Sequence, residues 1–151
     1  MNPANALRLA VYEQVLRFHA DTHVLRVNLP MPSKKNLLRR RRKPTVMPNN
    51  RRWIGMYRDP EVADAINALT LDLQRQWGAK PPLDSPYIHI TLIAPTARQD
   101  ADNIKTTLLD CLVKAGVLVG DNIKRLPWQG IHASKGDAWA AEIRLVGGTA
   151  K

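Results

Sequence analysis

The sequence predicts a single α+β domain in which a small mixed β-sheet packs against helices. The chain has 151 residues, of which 44% are hydrophobic, and this length and composition suit one domain with one hydrophobic core. Some segments carry apolar residues at helical spacing, whereas others alternate or are continuously apolar as strands are. No internal repeat or low-complexity linker divides the chain.

The N-terminal part is predicted to form a helix followed by a strand. Residues 5–19 carry an apolar helical face, so an amphipathic accessory helix is assigned to residues 1–23. That face consists of Leu7, Val11, Val15 and Phe18. The next stretch, HVLRVNLP, alternates, with Leu25 and Val27 on one face and Pro30 at its end, which predicts a half-buried strand.

The segment 31–52, MPSKKNLLRRRRKPTVMPNNRR, is predicted to be a loop that binds the phosphates of a polyanion. Its basic residues are Lys34, Lys35, Arg39, Arg40, Arg41, Arg42, Lys43, Arg51 and Arg52. Charge this dense repels itself unless a polyanion neutralises it, which favours phosphate binding over a merely solvated loop. A nuclear-localisation segment is a weaker alternative.

A second helix and a central strand are predicted next. Asp59 and Pro60 form a strong helix start, because Asp caps exposed amides and Pro has no amide proton to satisfy. The apolar stripe that follows ends at Gly78 and consists of Val62, Ile66, Leu69, Leu73 and Trp77. The stretch YIHITLIAP predicts a central strand that Pro95 closes.

The C-terminal part is predicted to be a β-hairpin. AWAAEIRL alternates, and the preceding SKGD has the composition of a tight turn. NIKRLPWQGIH is the predicted partner strand, and Pro127 places it at an edge. The domain is therefore expected to span residues 24–147, with residues 148–151 as a frayed tail.

Charge and cysteine content limit the classes of function. Twenty-three Lys and Arg against thirteen Asp and Glu give a formal net charge of +10, which suggests nucleic acid or, less often, an anionic membrane surface as partner. No apolar run approaches the roughly 20 residues of a membrane span, and no signal peptide is predicted, so a cytoplasmic protein is expected. The single cysteine, Cys111, excludes an internal disulfide and a zinc site built from several cysteines.

Four of the thirteen acids lie in the segment RQDADNIKTTLLDCLVKAGVLVGDN, residues 98–122. Its apolar spacing predicts a helix from about Asn103 to Ala115, with Asp100 and Asp102 beside its N-terminus. On their own, these two acids are better explained by a capped helix without further function. Asp110, four residues before Lys114, is explained by an ion pair on the helix surface.

Asp121 suggests more than a cap. A helix of about 13 residues is roughly 20 Å long, and five extended residues cover about 17 Å. A chain that reverses at Gly116 can therefore bring Asp121 back to Asp100 and Asp102. Three clustered carboxylates repel one another unless a hard cation such as Mg²⁺ lies between them, and such a site beside basic loops suits phosphodiester hydrolysis.

The same segment resembles the RusA family of Holliday-junction resolvases, small endodeoxyribonucleases common in phages and prophages. The family pattern is an Asp, any residue, Asp, Asn and an aliphatic residue, then a helix ending in Lys-Ala-Gly and an Asp five residues later. It matches Asp100, Asp102, Asn103, Ile104, Lys114, Ala115, Gly116 and Asp121. The resemblance extends more loosely over residues 24–147, and residues 1–23 lie outside it.

The resemblance implies a homodimeric, Mg²⁺-dependent α+β enzyme that nicks two opposing strands of a four-way DNA junction, in DNA recombination and repair. Asp100, Asp102 and Asp121 take the positions of its metal-binding catalytic acids. The family's catalytic lysine falls on Thr106, so the adjacent Lys105 is the candidate charge stabiliser, with Lys124 or the basic loop as substitutes. Gly120 replaces a fourth acid.

Two other functions remain open. One is a branched-DNA-binding protein of the same fold that has lost catalysis. Thr106, which stands where the family has its catalytic lysine, favours this alternative. The other is an RNA-binding or RNA-cleaving protein, which would prefer duplex or hairpin RNA to branched DNA.

Overall fold

The protein forms a mixed β-sheet with two helices packed against it, as a computed structural model shows. The structure describes residues 22–33, 38–40, 45–46, 48–49, 52–53, 56–96, 100–122, 125–126 and 128–150. The helices of the described residues are α1 (Pro60–Trp77) and α2 (Ala101–Lys114). The strands before α1 are β1 (Thr22–Val27), β2 (Leu38–Arg40), β3 (Thr45–Val46), β4 (Arg52–Trp53) and β5 (Met56–Arg58). Those after it are β6 (Leu83–Asp84), β7 (Tyr87–Ala94), β8 (Trp128–Lys135), β9 (Ala140–Val146) and β10 (Thr149–Ala150).

The main sheet has four strands in the order β1-β9-β7-β8. The β7–β8 pair is parallel, and the other two pairs are antiparallel. Alternate residues of β1, β7 and β9 join the apolar faces of α1 and α2 in one core. The predicted mixed sheet with packed helices in one small domain is therefore confirmed.

Helix α1 follows its predicted caps. The Asp59 carboxylate accepts hydrogen bonds from the amides of Glu61 and Val62, at 3.1 and 3.4 Å, and Pro60 opens the helix. Gly78 ends it with a φ of 68°, which favours glycine. The predicted apolar stripe of α1 is buried, so this helix is a scaffold element.

The free edge of β1 is obstructed by the end of α1. The Gln76 side chain accepts a hydrogen bond from the Arg26 amide at 3.0 Å and donates one to the Arg26 carbonyl at 2.7 Å. The Gln76 side-chain amide also donates a hydrogen bond to the Asp72 carboxylate at 2.9 Å, which fixes the orientation of the Gln76 side chain. One side chain thus occupies the position that the backbone of an added strand would take.

The predicted C-terminal hairpin is wrong, although its strands exist. β8 and β9 are joined by the SKGD turn, but β7 lies between them in the sheet. The connection crosses the end of β7, where the Gly136 amide donates to the Ala94 carbonyl at 3.0 Å. β8 instead pairs with β7, which is a central strand because β9 lies on its other side. β8 itself lies at the edge of the sheet, as Pro127 predicts.

Three other expectations change at the ends and in the basic segment. The tail predicted to fray, residues 148–151, contributes β10, which pairs with β6. The segment predicted as a loop contains strands: β2 pairs with β5, and β3 pairs with β4. The accessory helix lies outside the described residues, except that Thr22 and His23 already belong to β1.

We expect Gly136→Ala to lower the free energy of unfolding by about 1–3 kcal/mol, the usual cost of overpacking. A Cβ at this position would lie 2.3 Å from the Ile93 methyl Cγ2, on a β-branched side chain that moves little. Gly120→Ala is the control, because the nearest atom to its Cβ would belong to the flexible side chain of Arg125, at 3.2 Å. Urea unfolding that ranks the two variants equally would contradict this account.

The second face of the main sheet, which we call the open face, lies opposite α1 and α2. Its residues form rows across the strands, because residues paired between neighbouring strands point to the same side. One row is Arg26, Glu142, Thr91 and His132. The next row is Val24, Arg144, His89 and Gly130. Trp128 belongs to the row beyond it and stacks on His89, with ring centroids 6.2 Å apart.

His89 makes stability depend on pH. Partial burial, then the charges of Arg144 and His132, lower the pKa of this imidazole from its ordinary 6.5. As pH falls through about 6.5, the unfolded chain takes up the proton before the folded one does, so stability is lost until the folded pKa is passed. Wild type should therefore lose more unfolding free energy than His89→Gln between about pH 7.5 and 5.5. If urea unfolding shows that wild type and His89→Gln lose equal unfolding free energy over this pH range, this role of His89 is refuted.

Candidate functional site

The first turn of α2 carries the paired acids of the predicted site. Asp100 caps the helix: its Oδ1 accepts the amides of Asp102 and Asn103, at 3.1 and 3.3 Å. Its Oδ2 accepts a hydrogen bond from the Asn103 side-chain amide. The predicted helix and its N-cap are confirmed, with α2 beginning at Ala101. Asp100 is therefore held by the backbone, with an orientation fixed by the helix.

Asp102 lies in the same turn and faces solvent. Its side chain is 82% exposed, and the Lys105 ammonium lies 3.2 Å from its Oδ1. Lys105 itself is only 22% exposed, because its stem lies along the protein surface. The Thr106 hydroxyl instead donates to the Asp102 carbonyl at 2.9 Å. Lys105 thus reaches Asp102, whereas Lys124 lies outside the described residues.

A cavity of about 270 Å³ lies beside this turn, between the ends of β7 and β8 and the start of α2. Its lining residues are Leu92, Ala94, Thr96, Ala101, Ala133, Ser134 and Lys135. Ligands of α/β folds commonly bind at the carboxyl ends of parallel strands. Asp100 follows β7, and Lys135 ends the neighbouring β8, so acids and a cation border the same end of the sheet.

Ser134 and Lys135 are residues of this region that the sequence does not predict. They belong to the SKGD stretch, which was interpreted only as a turn. The parallel register pairs Ala94 with Lys135, at the end of β7 that leads to Asp100. These two residues can be assigned to the region only once the parallel pairing of β7 and β8 is known, and a local sequence pattern does not give the order of strands in a sheet.

Asp121 lies near the other end of α2. Leu83 donates its amide to the Val117 carbonyl at 2.8 Å and accepts the Val119 amide at 3.0 Å. Further along, the Arg125 guanidinium lies 3.0 Å from the Asp84 carboxylate. These contacts anchor both sides of Asp121 beside the start of β7. Since α2 has 14 residues, its length of about 21 Å separates this region from Asp100.

The predicted grouping of the three acids is not seen within one chain. Gly116 does adopt a left-handed φ of 74°, as predicted, but the chain then pairs with Leu83. Among the described residues, no three histidine, cysteine, aspartate or glutamate side chains are grouped to hold a metal ion. A single chain in this conformation thus brings together Asp100, Asp102 and Lys105 but not Asp121.

The basic segment is described only in part. Arg39 and Arg40 lie in β2, and Arg52 lies in β4. The other predicted DNA-binding residues lie outside the described residues: Lys34, Lys35, Arg41, Arg42, Lys43 and Arg51. Their contact with DNA remains a prediction.

Comparison with known proteins adds no assignment. No protein-family model matches the chain. No curated protein matches it either. Neither described helix is long and apolar enough to cross a membrane. Function is therefore inferred from the residues themselves.

Proposed function

We propose that this protein is a structure-selective endodeoxyribonuclease that cuts four-way DNA junctions as a homodimer. The observation that carries the proposal is the first turn of α2, where Asp100, Asp102 and Lys105 lie together beside the end of a parallel strand pair. The net charge of +10 supports a DNA partner. The motif similarity to the RusA family supports the choice of a junction.

The arrangement within one chain does not fit a Mg²⁺ site with three carboxylates, because Asp121 is near the opposite end of α2. We infer that Asp121 of a second copy completes the set in the dimer. A two-fold axis would place each α2 start against the partner's Asp121 and so create two equivalent sites. Two sites related in this way also suit paired cuts on opposing strands.

A branched-DNA-binding protein without nuclease activity is the second candidate. The separation of Asp121 from Asp100 favours it, as does the Thr106 hydroxyl, which is turned back onto the helix. In this case the Asp102–Lys105 pair is an ordinary ion pair on a helix surface.

The deciding experiment is cleavage of a labelled four-way DNA junction with Mg²⁺ and with EDTA, beside linear duplex DNA and hairpin RNA. Metal-dependent symmetric cuts confined to the junction would support the nuclease. Tight junction binding without cuts would support the binding protein. Preference for the RNA hairpin would contradict both. Light scattering with and without junction DNA tests the dimer, and a monomer in both would contradict the proposed nuclease.

A further inference from the structure

The open face combines basic and apolar groups in a way that the nuclease site does not explain. Arg26 and Arg144 have side chains that are 72% and 41% exposed. Val24 and Ile93, two of the exposed large hydrophobic residues of the described chain, lie on the same face. Exposed apolar side chains among arginines are a feature of surfaces that bind partners.

The charge of this face is positive after its ion pairs are counted. Glu142 lies 3.3 Å from the Arg26 guanidinium and also accepts a hydrogen bond from Arg144. One carboxylate thus pairs with two guanidiniums, so these three side chains together carry one net positive charge.

An aromatic pair lies beside these charges. Trp128 and His89 are stacked with an angle of 11° between their rings. The indole also covers Gly130, where a Cβ would lie 2.9 Å from Trp128 Cη2. Gly130 therefore leaves the space that the indole needs to lie along the strand. Trp128 remains half-buried rather than buried, so part of the residue is accessible to solvent.

We propose that the open face binds an unpaired DNA strand, with bases against Trp128 and phosphates near Arg26 and Arg144. Aromatic rings accept bases of any sequence, and guanidiniums neutralise the backbone, which together define single-strand binding surfaces. A second copy is disfavoured as the occupant, because two positive faces would repel. That the strand is DNA rests on the proposed function, which makes DNA the substrate.

The test is binding of a labelled single-stranded DNA oligonucleotide, followed by fluorescence anisotropy over a range of salt concentrations. Trp128→Ala should weaken binding about 5-fold or more, and Trp128→Phe should retain most of the affinity. Arg144→Gln should also reduce the salt slope, by about 0.7 for the lost contact. Arg75→Gln on α1 is the matched control, because Arg75 is 81% exposed and outside the open face.

Arg144→Gln keeps the test valid if Trp128→Ala fails to fold. Single-strand affinity and salt slope in Arg144→Gln equal to those of Arg75→Gln would overturn the proposal. Stronger competition by single-stranded RNA than by DNA would overturn the DNA assignment. A wild-type dimer that becomes monomeric in Arg144→Gln would show that a second copy occupies the face.

Junction cutting by the same variants separates this inference from the proposed function. If wild type cuts no junction while the open-face variants still lose single-strand binding, the nuclease proposal fails and the open-face proposal stands. If wild type cuts junctions and the variants bind single strands as wild type does, only the open-face proposal fails.

Discussion

Asp102→Asn is expected to abolish junction cutting while junction binding persists or tightens. The substitution keeps the shape of an 82% exposed side chain, so the fold should be unaffected. It removes a negative charge that would lie near the phosphates, which favours binding. Loss of groups that only support metal ligands typically costs 10–100-fold, so loss of a ligand should lower the cutting rate by roughly 100-fold or more.

Asp64→Asn is the matched control for this experiment. Asp64 is an exposed acid on α1, so its substitution changes the net charge equally but outside the candidate site. Both proteins should bind the junction, and only Asp64→Asn should cut it. Cutting by Asp102→Asn at the wild-type rate would remove Asp102 from the site.

A mixed dimer of Asp102→Asn and Asp121→Asn is expected to cut one strand of the junction, although neither variant alone cuts. If each site combines Asp102 of one copy with Asp121 of the other, one of the two sites has both substitutions and the other has none. The intact site should nick a single strand at about half the wild-type rate per dimer, because paired cutting needs both sites. Differently tagged chains, co-expressed and purified through both tags, provide the mixed dimer.

The alternative arrangement gives the opposite result. If all three acids of a site belonged to one chain, each half of the mixed dimer would lack one acid, and no strand would be cut. The same purification applied to two differently tagged Asp102→Asn chains controls for contaminating nuclease. A mixed dimer that binds the junction but never nicks would therefore contradict a shared site.

The elements of this fold were predictable where local chemistry determines them. The caps of α1 and the start of α2 depend on Asp59, Pro60 and Asp100, whose effects operate within a few residues. The alternation of β1 and β9 followed from their burial on one face. Capping residues and alternating apolar residues indicate the local conformation of the backbone, and the alternation also indicates which face of a strand is buried.

The pairing of the strands was not predictable in the same way. The SKGD turn suggested a hairpin, yet β7 separates β8 from β9 because it pairs in parallel with one and antiparallel with the other. For the candidate site, the Asp100 cap follows from local sequence. The position of Asp121 depends on Leu83, a residue distant in sequence that captures the chain after Gly116. Long-range pairings of this kind leave no periodic pattern.

The contact between Gln76 and β1 has a consequence for how copies of this protein can aggregate. Sheets polymerise into filaments when each added molecule offers a second edge for the next one. Here the amide of one glutamine occupies the backbone groups of Arg26 at one edge. A strand added at the β1 edge would have to displace Gln76 from Arg26, so growth of a sheet through this edge is disfavoured. Gln76 thus protects one edge of the sheet against the strand addition from which fibres grow.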